Sequence, residues 1–423
     1  MAKAAIDPRT ARWRAALFAM FLLPGVAMSS WITRTPDIRD RVGASTAEMG
    51  LIIFGLSIGA MAGVLCSASL VARYGGRAVT TGGAAVNLAG LAVVALGAGA
   101  GSGAVVFCGL ALFGAGSGLM EIAVNVEGAA VERVIGRPVL PALHGCFSAG
   151  TFAGATTGVA LTAVDFPVQW HLLIVVLLGA ALSVWALRHV PRGTGQERPG
   201  STEAPALGAR ERLAVWRERR VVLLGLIVLG MALAEGAAND WLPLIMVDGY
   251  DLDAATGSLV YALFAASMAV GRFSGERLLS RFGRVTVVRA GAVCAAVGLA
   301  TVVLAPHPAP AAAAVVLWGL GAALGFPLTL SAAGDDPQGA AARVSAVAIT
   351  GYLAFLAGPP ALGFLGEAVG LRNAMLAVLA VVLLAGTLAT AVRPLRPAQQ
   401  PPRASGPAPE RETTDDAPPG SRA

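Results

Sequence analysis

The chain has 423 residues and a mass of 42.5 kDa, light for its length because alanine and 53 glycines dominate it. Charged residues make up 13%, against roughly 25% in soluble domains, while hydrophobic residues reach 56% and the mean hydropathy is +0.70. So few charges cannot cover the soluble domains this length would allow, and so apolar a chain does not stay disordered, which leaves a polytopic helical membrane protein. The net charge of +6 does not point to nucleic acid, because the basic residues are spread thinly between apolar segments, as in short loops at one membrane face.

A bilayer core of about 30 Å takes about 20 apolar residues per helix. Twelve segments meet this requirement: 14–33, 47–71, 78–98, 104–126, 139–163, 168–188, 220–243, 256–279, 285–305, 311–333, 342–366 and 372–392. Residues 1–13 form a basic N-terminus with Arg9 and Arg12, and Arg14 opens the first span. That span is too long, and followed by too many others, for a cleavable signal. Residues 189–219, with Pro191, Gly193, Gly195, Pro199 and Gly200, read as a linker. Its charged run from Arg210 to Arg220 is expected to end it as a short amphipathic helix on the membrane surface. The linker divides the spans into two six-helix bundles, 14–188 and 220–392. The Pro-rich polar tail 393–423 is expected to be disordered.

Arginine placement sets an expected orientation. The N-terminus, Arg73 and Arg77 after span two, the linker, and Arg277, Arg281 and Arg284 after span eight are Arg-rich, whereas the loop with Asp248, Asp251 and Asp253 carries no base. Both termini and the linker are therefore expected in the cytoplasm. The loop between spans one and two mixes Arg34, Arg39 and Arg41 with Asp37, Asp40 and Glu48 and gives no direction. Cys66, Cys108, Cys146 and Cys294 lie in apolar runs without metal-ligand spacing or a disulfide framework.

The halves repeat each other. Residues 63–75 (GVLCSASLVARYG) align with 271–283 (GRFSGERLLSRFG), and Gly114 and Gly116 align with Gly319 and Gly321. Two parallel repeats place a cavity at their interface near the bilayer midplane.

These features resemble the major facilitator superfamily over residues 14–392. Residues 72–77 (ARYGGR) are similar to its signature loop between spans two and three, and 280–284 (SRFGR) to the second copy, although Ala72 and Ser280 stand where the family usually has an acid. Glu121 and Asn125 match the Glu-x-Ala-x-Asn of fucose-permease-like sugar/proton symporters. Residues 36–40, 125–130, 238–243 and 350–355 give an overall likeness to bacterial inner-membrane transporters of the YbjJ type, and more loosely to the rhizopine permease type. The resemblance implies an all-α, twelve-helix fold, alternating access, a small-molecule solute, protons as coupling ion, a monomer and a bacterial plasma membrane location.

Ionisable residues inside spans are expensive and therefore informative. Glu121 and Asn125 in span four, and Glu235, Asn239 and Asp240 in span seven, are candidates for solute binding and proton coupling; the other reading of Glu121 and Glu235 is a buried structural acid, of Asn125 a residue that orients Glu121, and of Asp240 a helix cap. Span one lacks the carboxylate usual in fucose-permease-like proteins, which shifts weight to Glu121 and Glu235. His144 is a packing residue or a relay. Arg272 and Glu276, four residues apart, are expected to pair along one face. With Arg73, Arg77, Arg281 and Arg284 they are candidates for a gate. Glu127 and Glu132 are expected to face a loop.

Gly114, Gly116 and Gly118, then Gly150, Gly154 and Gly158, mark close helix crossings. Gly358, Pro359, Pro360 and Gly363 resemble the family's bent-helix motif in span eleven, and Pro327 is expected to break span ten. Trp31 and Trp241 are read as an interfacial belt; Trp318 could stack on a sugar ring. There is no HExxH pair, Gly-x-Ser-x-Gly elbow or Walker loop, so an enzyme, a cofactor and a primary pump are not expected. Aromatics are only 6% and the spans carry several polar groups, which leans toward a small polar solute. A membrane-embedded solute sensor on the same fold is the alternative.

Overall fold

Lipid offers no partner to a backbone N–H or C=O, so apolar runs of this length close their hydrogen bonds internally as helices. The computed structural model describes residues 7–136, 139–196, 214–336 and 339–395. The first half comprises α1 (Pro8–Ile32), a short α2 (Thr35–Val42), α3 (Thr46–Tyr74), α4 (Gly76–Ala100), α5 (Gly103–Ile135), α6 (Leu140–Thr162) and α7 (Val168–Leu187). The second comprises α8 (Arg219–Tyr250), α9 (Ala254–Leu304), α10 (Pro308–Ala322), α11 (Gly325–Ala333), α12 (Ala340–Val369) and α13 (Leu371–Leu388).

All twelve expected spans fall on these helices. Two of them share α9, where Gly283, at φ 75° and ψ 163°, separates residues 254–282 from 284–304. Span ten is divided into α10 and α11. Pro327 has no N–H to give the Ala323 carbonyl, and the chain turns at 323–324. Among the described residues, ten stretches are long and apolar enough to cross a membrane. α6 is not one of them, because His144 and its threonines lower its hydropathy, and it packs against α1, α5 and α9 instead.

Three boundaries move. Residues 8–13 belong to α1, since Asp7 caps it by accepting from the N–H groups of Arg9 (3.1 Å) and Thr10 (3.3 Å) and Pro8 fits the first turn. Of the charged run before span seven, Val215–Arg217 form one 3-10 turn and Arg219 and Arg220 already belong to α8. The rest of that run, 210–213, and the tail from 396 lie outside the described residues. α9 starts on Asp253, whose carboxylate accepts from the Thr256 hydroxyl (2.6 Å) and N–H (2.9 Å); these bonds hold it below the usual carboxylate range.

The helices alternate in direction, which gives the molecule a linker end, with Gly75, Gly136, Arg188, Glu218 and Gly334, and a far end, with Thr33, Gly101, Asp165, Asp251 and Gly370. The first six spans pack on one another, as do the last six, and the two sets meet through α3 on α12 and α6 on α9.

The repeat seen in sequence is a repeat of packing. Gly116 on α5 lies against Asn87 and Gly83 of α4; Gly321 on α10 lies against Ala295 and Gly291 of α9. Gly114 meets Leu56 of α3, and Gly319 meets Phe264 of α9. Gly75 and Gly283 both take positive φ, 81° and 75°, where the chain reverses with no room in its dihedrals for a side chain. Gly150, Gly154 and Gly158 face α1 at Leu22, Val26 and Thr33; a Cβ on Gly154 would stand 2.6 Å from the Val26 carbonyl oxygen. Pro359 and Gly363 of α12 meet Gly50 of α3 in the same backbone-to-backbone manner.

Trp31 and Trp241 do not form an interfacial belt. They are 2% and 0% exposed, inside the core, with the Trp241 ring against Gly363. Trp318 is also fully buried, packs edge-on to Phe264 and donates Nε1–H to the Ala234 carbonyl (3.1 Å), so it is not offered to a solute in this arrangement.

Candidate functional site

At 1.5 Å per residue, Glu121 lies about 27 Å from the start of α5 and about 21 Å from its end, in the middle of the span. It is exposed although it faces the second half, where the Tyr352 hydroxyl of α12 is within hydrogen-bonding reach of its carboxylate. Solvent access at that depth, beside a residue from the other half, means a cleft between the halves. One turn on, Asn125 donates Nδ2–H to the Glu121 carbonyl (2.6 Å). This turns its Oδ1 toward Nε2 of His144 on α6 (3.1 Å), so Nε2 carries the donated proton. Asn125 therefore orients His144 and not the Glu121 carboxylate. The imidazole also meets the Phe21 ring edge-on, centroids 5.1 Å apart.

The second half supplies the counterpart. Glu235, midway along α8, accepts at 2.9 Å from Nη2 of Arg272 on α9. The expected Arg272–Glu276 pair does not form: Arg272 turns to the deeper carboxylate, and the exposed Glu276 makes no ion pair among the described residues. Arg272 is close enough to His144 for its charge to be felt there, so the two arms of the cleft face each other. Tyr261, 1% exposed, donates to Oδ1 of Asn239 (3.3 Å) and lies in the field of Glu235 and Asp240. Asp240 sits one turn beyond Gly236 toward the far end and makes no ion pair among the described residues.

The other arginines expected at a gate stay within their own halves. Arg77 donates to the Val190 carbonyl (3.1 Å), and Arg73 lies over Tyr74. The start of the linker docks on this loop, with Gly76 N–H on the Thr194 carbonyl (2.7 Å) and Gln196 on the Arg73 carbonyl (3.0 Å). Arg281 lies over Phe282; Arg284 holds both oxygens of Asp335 at 2.9 Å, and Arg220 joins them at 2.8 Å. Glu127 faces a loop but is not exposed on it. It is fully buried beneath the loop that starts α4, against Gly76 and Arg77, as the tight backbone there leaves it room. Glu132 caps α6, accepting from Val139 and Leu140 at 3.1 Å.

The halves are tied together at the far end. Arg39 of α2 pairs with Asp248 of α8, Ala47 N–H reaches Glu367 (3.2 Å), and Ser258 donates to the Thr33 carbonyl (2.7 Å). Nearer the middle, Ser57 donates to the Phe355 carbonyl (2.7 Å). Among the described residues, no hydrogen bond or ion pair joins the halves on the linker side of Glu121 and Tyr352. On that side the halves touch where the Phe273 ring of α9 lies against Gly145 of α6.

The profile of the Major Facilitator Superfamily matches residues 128–355. An uncharacterized transporter of Sinorhizobium fredii, y4wD, is 32% identical over 88% of this chain and 98% of its own. An uncharacterized MFS-type transporter of Yersinia pestis is 29% identical over 88% of this chain and 93% of its own. Among solved structures, the nucleoside transporter NupG in its D323A form superposes with a TM-score of 0.75 at 14% identity, over 90% of this chain and 99% of that one.

Proposed function

Because the chain belongs to the major facilitator superfamily and is a multi-pass membrane transporter, we propose that it moves a small polar solute across a bacterial plasma membrane by alternating access, coupled to protons. The observation that carries this reading is the mid-membrane cleft in which Glu121, Asn125 and His144 of one half face Glu235, Arg272 and Tyr352 of the other. Such groups are costly in a membrane unless they serve a water-filled path. Amide, hydroxyl and carboxylate groups offer hydrogen bonds to a polar solute, and two carboxylates at that depth can take up and release protons as the cleft opens to alternate sides.

With both termini and the linker in the cytoplasm, the arrangement described here is inward-open, and the far-end contacts from Arg39 to Asp248 and from Ala47 to Glu367 form the closed outer gate. The bundles 14–188 and 220–392 are the bodies that rock, joined by the linker in a monomer. A panel of neutral, anionic and cationic polar solutes scored by thermal shift identifies the ligand, because binding stabilises the folded form by mass action. Uptake of that solute into proteoliposomes under an imposed proton gradient tests the function. Binding without flux would make the protein a sensor and sink the proposal.

A further inference from the structure

Where α1 begins and α7 ends, Arg9, Thr10, Arg12, Trp13, Arg188, His189, Val190 and Pro191 line a cleft of about 430 Å³ at the linker end, separate from the one between the halves. We propose that this cleft binds the phosphodiester headgroup of an anionic phospholipid from the leaflet at that end.

Three observations carry the assignment. First, no acid among the described residues compensates the positive charge. Arg9, Arg12 and Arg188 are exposed and form no ion pair among the described residues, and Arg12 commits only Nε, to the Pro8 carbonyl (3.3 Å), leaving its terminal nitrogens free. Asp7, the acid that precedes them, is turned back to cap the N–H groups of Arg9 and Thr10. Elsewhere at this end Arg220, Arg284 and Arg343 each hold a carboxylate.

Second, the donors are preset. Arg9 and Arg12 are three residues apart on one helix face. His189 donates Nδ1–H to the Trp185 carbonyl (2.9 Å), which holds its ring in place at the edge of the cleft. Third, the place is that of lipid headgroups. Trp185, 43% exposed, stands one turn before the cleft with its ring 5.3 Å from that of His189, as aromatic side chains do at the membrane–water boundary. Trp13, Val190 and Pro191 add apolar walls that suit the glycerol and first methylenes of a lipid and not a hydrated ion. Basic pockets between spans on this side are suited to acidic lipid headgroups.

The test is the thermal stability of the full chain in detergent with added phosphatidylglycerol, phosphatidylcholine or inorganic phosphate. Phosphatidylglycerol should stabilise the wild type and phosphatidylcholine should not. Apparent affinity should fall about fivefold for each arginine lost in Arg9→Gln, Arg12→Gln and Arg188→Gln, and survive replacement of all three by lysine. Arg41→Gln, at the far end, should leave it unchanged, and equal stability of the variants without lipid shows that they fold. Equal stabilisation by phosphatidylcholine, or an unchanged response in the triple glutamine variant, overturns the proposal. Stabilisation by inorganic phosphate without a response to phosphatidylglycerol overturns the lipid assignment in favour of a soluble anion.

Discussion

Glu121 and Tyr352 meet across the interface of the two halves, the phenol hydroxyl of α12 within hydrogen-bonding reach of the carboxylate of α5. The last polar link between the halves on the way from the far end to the linker end is thus also a candidate for solute and proton binding.

Tyr352→Phe removes the donor. A hydrogen bond to a charged group contributes about 1.5–3 kcal/mol, so the balance between the observed arrangement and its alternative should move by roughly ten- to a hundredfold. Spin labels at Leu51 and Phe364, both exposed near the far end of α3 and α12, read this as a second, longer distance population. Arg39→Ala, which breaks a partly exposed ion pair with Asp248, should move the same balance only about two- to fivefold. The opposite ranking would place the main latch at the far end.

Arg272→Leu or Glu235→Leu leaves a single charge in the cleft. A fully buried pair broken this way costs about 3–5 kcal/mol; with Arg272 34% exposed, about 1–3 kcal/mol is expected. The double Leu variant should recover most of that stability and no transport. Additive losses of melting temperature would mean that the two residues do not depend on each other.

Gly154→Ala places a Cβ 2.6 Å from the Val26 carbonyl oxygen and should cost about 1–3 kcal/mol, with Gly154→Leu preventing folding. Gly116→Ala and Gly321→Ala should lower the melting temperature by similar amounts, because each glycine meets the equivalent turn of its own half. A tolerated leucine at 154 contradicts the crossing.

In a background with Cys66, Cys108, Cys146 and Cys294 replaced, Asp251→Cys should react with an impermeant maleimide on intact cells, and Gln196→Cys only after permeabilisation. Both positions are exposed in the structure. The reverse pattern would invert the orientation and make the observed arrangement outward-open.

The helices and the repeat were legible because hydropathy and glycine spacing are local signals, and Gly75 and Gly283 repeat one backbone requirement. Partners chosen across helices were not. Glu276 is the nearest acid to Arg272 along its helix, but Glu235, on α8, takes the guanidinium. Trp31 and Trp241 end apolar runs, and sequence cannot tell a membrane boundary from a glycine on a neighbouring helix that makes room for the ring. Tyr261 and Tyr352 were missed as site residues. They are two of only four tyrosines, both inside apolar spans, and a buried phenol needs a polar partner, which was the available signal.

The most direct test of the account compares uphill uptake with solute exchange in proteoliposomes for Glu121→Gln, with Glu235→Gln beside it, using the solute found by thermal shift. Glutamine keeps shape and hydrogen bonding and removes the titratable proton. The account predicts that accumulation against a solute gradient, driven by an imposed proton gradient, falls to background in either variant while exchange and binding stay largely intact. If both variants accumulate solute as the wild type does, neither carboxylate couples protons, and the driving force is another ion or the solute gradient itself.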